Sequence, residues 1–246
     1  MKLSAPIYIL KQHAKSLSRK EKIPLHQALD RIANLEGFKA WSLLAAKRSS
    51  DEPSLKLFAR LRPGDLVLLG ARPGQGKTLL GIGLAVQSMI RGNRSAFFTL
   101  AFTAADVARC FAILGEDLHS FRDRLSIDDS DQINADYIIA QLALAPPSLL
   151  VVIDYLQLLD QRRDNPTVMD QVTKLKRFAR ERQLIMICLS QIDRRYDPDA
   201  KSCPVLDDVR LPNPLDLTLF DKTCFLNRGK MQVATVGQSH GDRFVT

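Results

Sequence analysis

Cysteine, histidine and tryptophan are scarce: four, four and one in 246 residues. Cys110, Cys188, Cys203 and Cys224 stand far apart, without a CxxC pair, and the histidines form no cluster. That scatter argues against a disulfide framework and against a zinc or other soft-metal site, and the cysteines read as reduced thiols. No apolar run reaches the roughly 18 residues needed to cross a bilayer. Met1-Lys2-Leu3-Ser4 offers no long apolar stretch of a secretory signal. A protein of the cytoplasm with no membrane partner is therefore expected. Internal repeats and low-complexity tracts are also missing. What remains, 46% hydrophobic and 25% charged residues, is the balance of a folded globular chain.

Positive charge is confined to one end. Residues 1–62 hold 13 of the 35 Lys and Arg but 5 of the 27 Asp and Glu, and so carry the whole net charge of +8. Residues 63–246 are neutral. A basic appendage of this kind favours contact with a polyanion, nucleic acid first; the alternative is a solvated helical face that aids solubility.

Three segments follow from the patterning. Residues 1–50 read as a basic helical module. Ile7, Leu10, Ala14 and Leu17 recur at helical spacing, and Pro24 opens a second helix with a stripe of Leu25, Leu29, Ile32 and Leu35, which Gly37 stops. A third short helix carries Trp41, Leu43 and Leu44, and His13 and His26 belong to the surface. Residues 51–62 read as a linker, small, polar and broken by Pro53. In residues 63–246, apolar runs at 66–69, 96–100, 149–153 and 184–189 alternate with helix-length segments near 77–91, 103–115, 132–144 and 166–182. That alternation predicts an α/β domain, a mostly parallel sheet flanked by helices on both faces.

The strongest chemical signal follows the first apolar run. Ala71-Arg72-Pro73-Gly74-Gln75-Gly76-Lys77-Thr78, with Leu79 next, has the makings of a phosphate loop at a strand-to-helix turn. Gly74 and Gly76 let backbone N–H groups curl around a triphosphate, Lys77 reaches its outer phosphates, and the Thr78 hydroxyl is a ligand for Mg2+. The usual first glycine of this motif is Ala71 here. A partner for the metal ion is expected at the end of another buried strand, and Leu149-Leu150-Val151-Val152-Ile153-Asp154 supplies it. Thr78 and Asp154 are the predicted metal ligands, and Mg2+ with a nucleoside triphosphate the predicted cofactors.

At these residues the chain resembles the RecA-like ATPase domain of DnaB-type replicative DNA helicases, over about residues 60–246. Ala-Arg-Pro before Gly-Lys-Thr is that family's form of the phosphate loop, alanine included. Asp154-Tyr155-Leu156-Gln157-Leu158 is similar to its magnesium motif, and speaks against a recombinase-like or clock-like relative. Leu125-Ser126-Ile127-Asp128-Asp129, the basic helix from Lys174 to Arg180, and Leu189-Ser190-Gln191 come in the expected order. The resemblance implies ATP as the nucleotide, and a γ-phosphate-sensing role for Gln191 beside catalytic Lys77. It also implies a following loop, with Arg194, Arg195 and Lys201, that faces single-stranded DNA. Like subunits would assemble as a homo-oligomer, with a hexameric ring as the expected form. Residues 1–50 are shorter than the helicase's own N-terminal helical domain and are expected to be a different module.

Two departures bear on catalysis. The family's water-polarising glutamate, just after the second strand, corresponds to Ala101, and alanine can neither orient nor deprotonate water. Asp106, about one helical turn on, would have to reach back. The closing strand's Lys-x-Arg pair, which the family inserts into a neighbouring site, is not found in Val233-Ala234-Thr235-Val236-Gly237-Gln238-Ser239-His240. Arg228 and Lys230 stand earlier and in reversed order. ATP binding is thus expected and hydrolysis doubtful. The competing expectation to a DNA helicase-like ATPase is a nucleotide-binding regulator or ring subunit that does not turn ATP over.

Overall fold

A computed structural model of the chain describes residue 4 and residues 7–44, 53–160, 165–211, 213–237 and 244–245. Its centre is an eight-stranded sheet of order β3-β2-β4-β5-β1-β6-β7-β8. The strands are β1 (Leu66–Ala71), β2 (Ser95–Thr99), β3 (Leu125–Asp128), β4 (Leu150–Asp154), β5 (Ile185–Gln191), β6 (Lys222–Asn227), β7 (Lys230–Thr235) and β8 (Phe244–Val245). All pairings from β3 across to β6 are parallel, and β7 and β8 are added antiparallel.

Among the described residues five α-helices serve this sheet: α3 (Pro53–Phe58), α4 (Lys77–Ile90), α5 (Ala104–Leu114), α6 (Ala135–Gln141) and α7 (Val168–Arg182). Strands β1, β4 and β5 are apolar almost throughout because both of their faces are covered. Leu66, Leu68, Val151, Ile153, Met186 and Cys188 pack with α6 and α7 on one side. Val67, Leu69, Val152, Ile187 and Leu189 pack with α3, α4 and α5 on the other. Each such fully buried aliphatic side chain stabilises the fold by roughly 1.5–3 kcal/mol. The predicted helices on both faces are therefore present, each a little shorter than its apolar pattern suggested.

The segment expected to be a linker contains structure. Pro53, whose missing N–H costs nothing at a first helical position, opens α3, and Leu57 and Ser54 are buried. α3 lies so close to α4 that a Cβ on Gly83 would come within 2.9 Å of Ser54 Cβ. At the far end of the sheet from the loop at 72–76, Asp221 accepts hydrogen bonds from Leu66 N–H (2.9 Å) and Arg180 (2.8 Å), and Lys222 pairs with Asp65 (2.5 Å). These contacts fix the start of β1 between its neighbours.

All four cysteines are free and buried. Cys188 on β5 lies opposite Leu68 of β1, and Cys224 on β6 opposite Leu69. Burial pushes the Cys188 thiol up to about 12 and moves Cys224 the same way.

The N-terminal module has a core of its own. α1 (Ile7–Glu21) and α2 (Leu25–Leu35) meet through Leu10, Ala14, Ala28 and Ile32, with Leu17, Leu29 and Trp41 packed against them. A helical turn follows at 41–44, where Trp41 N–H donates to Asp30 (2.8 Å). The predicted stripe of α2 is only half used: Leu25 and Leu35 are exposed, Leu35 to 81%. Two helices and one turn cover a narrow seam, and small Ala28 and Ala33 take the close-packed positions instead. His13 and His26 are exposed, as expected. The module meets the sheet domain where α1 touches α5.

Candidate nucleotide site

The site stands at the C-terminal edge of the parallel strands, where open α/β sheets bind ligands. β1 ends at Ala71, and the chain turns through Arg72-Pro73-Gly74-Gln75-Gly76 into α4. Gly74 and Gly76 have φ of +77° and +87°. A Cβ at either would meet nothing within 4 Å, so the backbone conformation, and not space, demands glycine there. Gly76 caps α4 without any side-chain hydrogen bond. The first-turn N–H groups of Lys77, Thr78 and Leu79 thus point from the positive end of a 14-residue helix at whatever occupies the loop.

Asp154 ends β4, two strands from β1, and is 1% exposed. Thr78 Oγ1 donates a 2.8 Å hydrogen bond to its Oδ2, which brings the two predicted metal ligands into contact. Burial pushes the Asp154 carboxyl above its ordinary value, while the Thr78 hydroxyl bond and the nearby Lys77 charge pull it down. A buried carboxylate held this way is suited to a cation. Among the described residues no group of three or more His, Cys, Asp or Glu could hold a metal ion unaided. Mg2+ commonly takes one or two protein oxygens and completes its shell with phosphate and water, and the Thr78–Asp154 pair fits that demand.

Protonation should therefore be visible in metal-dependent binding. If the Asp154 carboxylate holds Mg2+, nucleotide affinity with Mg2+ should fall as pH drops through the raised Asp154 value. Affinity in EDTA should lack that step. In folding the sign reverses: native Asp154 takes up its proton before the unfolded chain does. Asp154 therefore adds stability as pH falls from its raised value to the ordinary aspartate range. Titrating binding against pH with and without Mg2+ checks this, and identical profiles would remove Asp154 from the metal site.

Gln191 ends β5 in register with Ala71, and the next N–H, that of Ile192, donates to Ala71 O (3.2 Å). This sets the predicted sensor beside the loop. Arg210, which the sequence did not single out, holds it: its N–H donates to Gln191 O (2.9 Å) and its Nη1 to Gln191 Oε1 (3.3 Å). Gln157 Nε2 in turn donates to Arg210 O (2.8 Å) and Ser190 Oγ (3.1 Å). The β6–β7 hairpin also reaches the loop. Arg228 (φ +48°) and Gly229 (φ +78°) form its tip, and Arg228 N–H donates to Gln75 Oε1 (2.7 Å). A cavity of ≈ 220 Å³ opens beside Gln75 and Gly76, bounded by Ser54, Leu79, Lys230 and Met231.

Other predicted groups are placed differently. Ala101 is exposed, two residues beyond Thr99, which lies opposite Asp154 in the sheet. Asp106 does not reach back toward it. Its carboxylate is engaged at the start of α5 by Thr103 N–H (3.1 Å), Thr103 Oγ1 (2.7 Å) and Arg109 (3.0 Å). On the loop after β5, Arg195 pairs with Asp193 (3.1 Å) and Lys201 with Asp208 (3.3 Å). Arg228 pairs with Asp199 (2.6 Å).

A mostly parallel sheet flanked by helices, with a glycine turn into a helix after β1 and a buried carboxylate two strands away at the end of β4, is the arrangement of a RecA-like fold. Solved structures agree on the fold: one solved ATPase domain aligns with a TM-score of 0.61 and 19% identity, over 83% of this chain and 92% of that one. A DnaB-like replicative helicase, solved in a study of its interactions with primase, also gives 0.61, at 18% identity over 97% of this chain and 73% of that one. Residues 114–233 match the DnaB-like helicase C terminal domain. The replicative DNA helicase DnaB of Pasteurella multocida is 26% identical over 234 residues, 80% of this chain and 50% of the relative. A protein described as a probable plasmid replicative DNA helicase of Chlamydia muridarum is 28% identical over 221 residues, 76% and 49%. The family match, the relatives and the solved structures together support a DnaB-type helicase ATPase domain. It spans about half the length of these curated relatives. Among the described residues no helix is long and apolar enough to cross a membrane.

Proposed function

We propose that this protein binds Mg2+-ATP at the loop 71–79 and acts on DNA, with hydrolysis slow or lost. The observation that carries the binding half is the buried Thr78–Asp154 hydrogen bond beneath a glycine-shaped phosphate loop. Lys77 and the α4 N–H groups take the phosphates, Thr78 and Asp154 hold Mg2+, and Gln191, set by Arg210, faces the γ-phosphate. When bound, Mg2+ neutralises phosphate charge. The cavity beside Gln75 gives the base a place. The hydrolytic half rests on Ala101, which is no base, and on Asp106, which is bound elsewhere. Removing a positioned base commonly costs about 10²–10⁴-fold in rate.

The protein then works as a nucleotide-sensing subunit of a ring, formed by like copies, that engages single-stranded DNA. Its buried thiols suit a reducing compartment, and we place it in the cytoplasm. One feature favours the motor reading instead: Arg228 is exposed at a hairpin tip beside the phosphate loop, where it could serve as a trans cation in a ring. Equilibrium ATP binding measured beside phosphate release, with and without single-stranded DNA, separates the two. Tight binding with negligible release is expected, whereas brisk DNA-stimulated release would establish the motor.

A further inference from the structure

The loop that the family resemblance turns toward DNA is poorly equipped for it in this chain. Of its three cations, Arg194 alone is exposed without an ion pair among the described residues, while Arg195 is paired with Asp193 and Lys201 with Asp208, and Asp197 and Asp199 interrupt the run. A phosphate would have to displace a carboxylate from each of these pairs. Helix α1 shows the opposite arrangement. Its apolar seam, Leu10 and Ala14, is buried against α2. Its solvent arc presents Lys11, His13, Lys15, Ser16, Arg19 and Lys20, all exposed. At about 100° per residue Lys11, Lys15 and Arg19 fall within one narrow sector, a row about 12 Å long with steps of about 6 Å. The one acid of the helix, Glu21, lies outside that arc and pairs with Arg31. None of Lys11, Lys15, Arg19 and Lys20 has an ion-pair partner among the described residues.

We propose that this row on α1 is a docking surface for the phosphate backbone of single-stranded DNA, and supplies most of the chain's electrostatic contact with it. The proposal rests on the reading above that the protein acts on DNA. Three observations select this occupant. The cations are unpaired and uninterrupted, which is the footprint of a polyanion. Lys11, Lys15 and Arg19 form a single row along one helix, with steps of the order of the spacing between successive phosphates, so they match one strand. The apolar side chains described on α1, Leu10, Ala14 and Leu17, all pack in the seam with α2 and are not offered to a lipid surface. Because α1 touches α5, which follows Ala101 at the nucleotide edge, the bound strand would lie on the same body as the ATP site.

The test uses the full chain and a fluorescent oligothymidylate, titrated from about 50 to 200 mM salt. Each lost phosphate contact to a single strand flattens the slope of log K against log salt by about 0.7. Lys11→Gln, Lys15→Gln, Arg19→Gln and Lys20→Gln together should make the slope less negative by about 2, the share of the three cations in the row, and weaken binding at least about tenfold at the lowest salt. The paired loop, changed as Arg195→Gln with Lys201→Gln, should move the slope by less than about 1. Trp41, the sole tryptophan, packs on this module's core, so unchanged emission confirms that the quadruple variant is folded. A wild-type slope in the quadruple variant would overturn the proposal, as would preference for duplex or for anionic vesicles over the oligothymidylate. ATP affinity, followed in the same samples, keeps the two readings apart. ATP binding without any DNA binding sinks the row and leaves the nucleotide site standing. Loss of ATP binding with the salt slope intact does the reverse.

Discussion

Replacing Ala101 with glutamate should raise Mg2+-dependent ATP turnover by about 10²–10³-fold, the contribution of a positioned base. The position can take the side chain. Ala101 is exposed, and its N–H, like that of Phe102, donates to Thr99 Oγ1 (3.1 and 3.2 Å), which fixes the turn after β2. Thr99 lies opposite Asp154, so a carboxylate added at 101 would enter at the edge that holds Thr78 and Asp154. Ala101→Gln has the same reach without the basicity and should leave turnover near the wild-type rate. Measuring phosphate release by all three proteins, with ATP affinity as a control, decides the matter. If glutamate and glutamine behave alike, the base is not what limits this site.

Lys77→Ala should weaken ATP binding by about ten- to a hundredfold. The lysine is the first residue of α4, partly exposed, and contributes little to the core. A charge-assisted hydrogen bond to phosphate is worth about 1.5–3 kcal/mol, and its loss falls almost wholly on the bound state. Titration calorimetry should therefore show weaker binding at an unchanged melting temperature of the ligand-free protein. Unaltered affinity would mean that the loop 71–79 is not where the phosphates lie.

How far the fold can be read from the sequence varies with how each element is held. β1, β4 and β5 are legible because a strand covered on both faces must be apolar throughout, and each ends in a chemically marked residue or turn. β6 is not: Cys224-Phe225-Leu226 is its only apolar run, and it buries Thr223 and Asn227 as well. α3 is hidden by Pro53 and Ser54, which read as breakers yet start a helix whose Leu57 and Ser54 pack inward. The stripe of α2 promises more burial than it finds, since periodicity shows which side chains share a face and not whether anything lies against it.

The glycine turn after β1 and the pairing of Thr78 with Asp154 are legible because their spacing and strand context are local. Arg210 is not, because a lone arginine 19 residues after Gln191 becomes its partner only when Val209 bridges to Ile192. The capping role of Asp106 follows the Thr103-x-x-Asp106 pattern, which is recognisable in the sequence and excludes the carboxylate as a reaching base.

The four buried thiols give the molecule a built-in record of its own breathing. Alkylation requires a thiolate in contact with solvent, and burial withholds both conditions. Cys188 and Cys224 grip opposite sides of β1, so a reagent can mark them only when the strands on either side of the phosphate loop part. Cys110 on α5 and Cys203 on the loop after β5 are buried nearer the surface. The order in which the four are modified would trace which part of the domain opens first, and its slowing by ATP would give the energy that the nucleotide adds to the sheet.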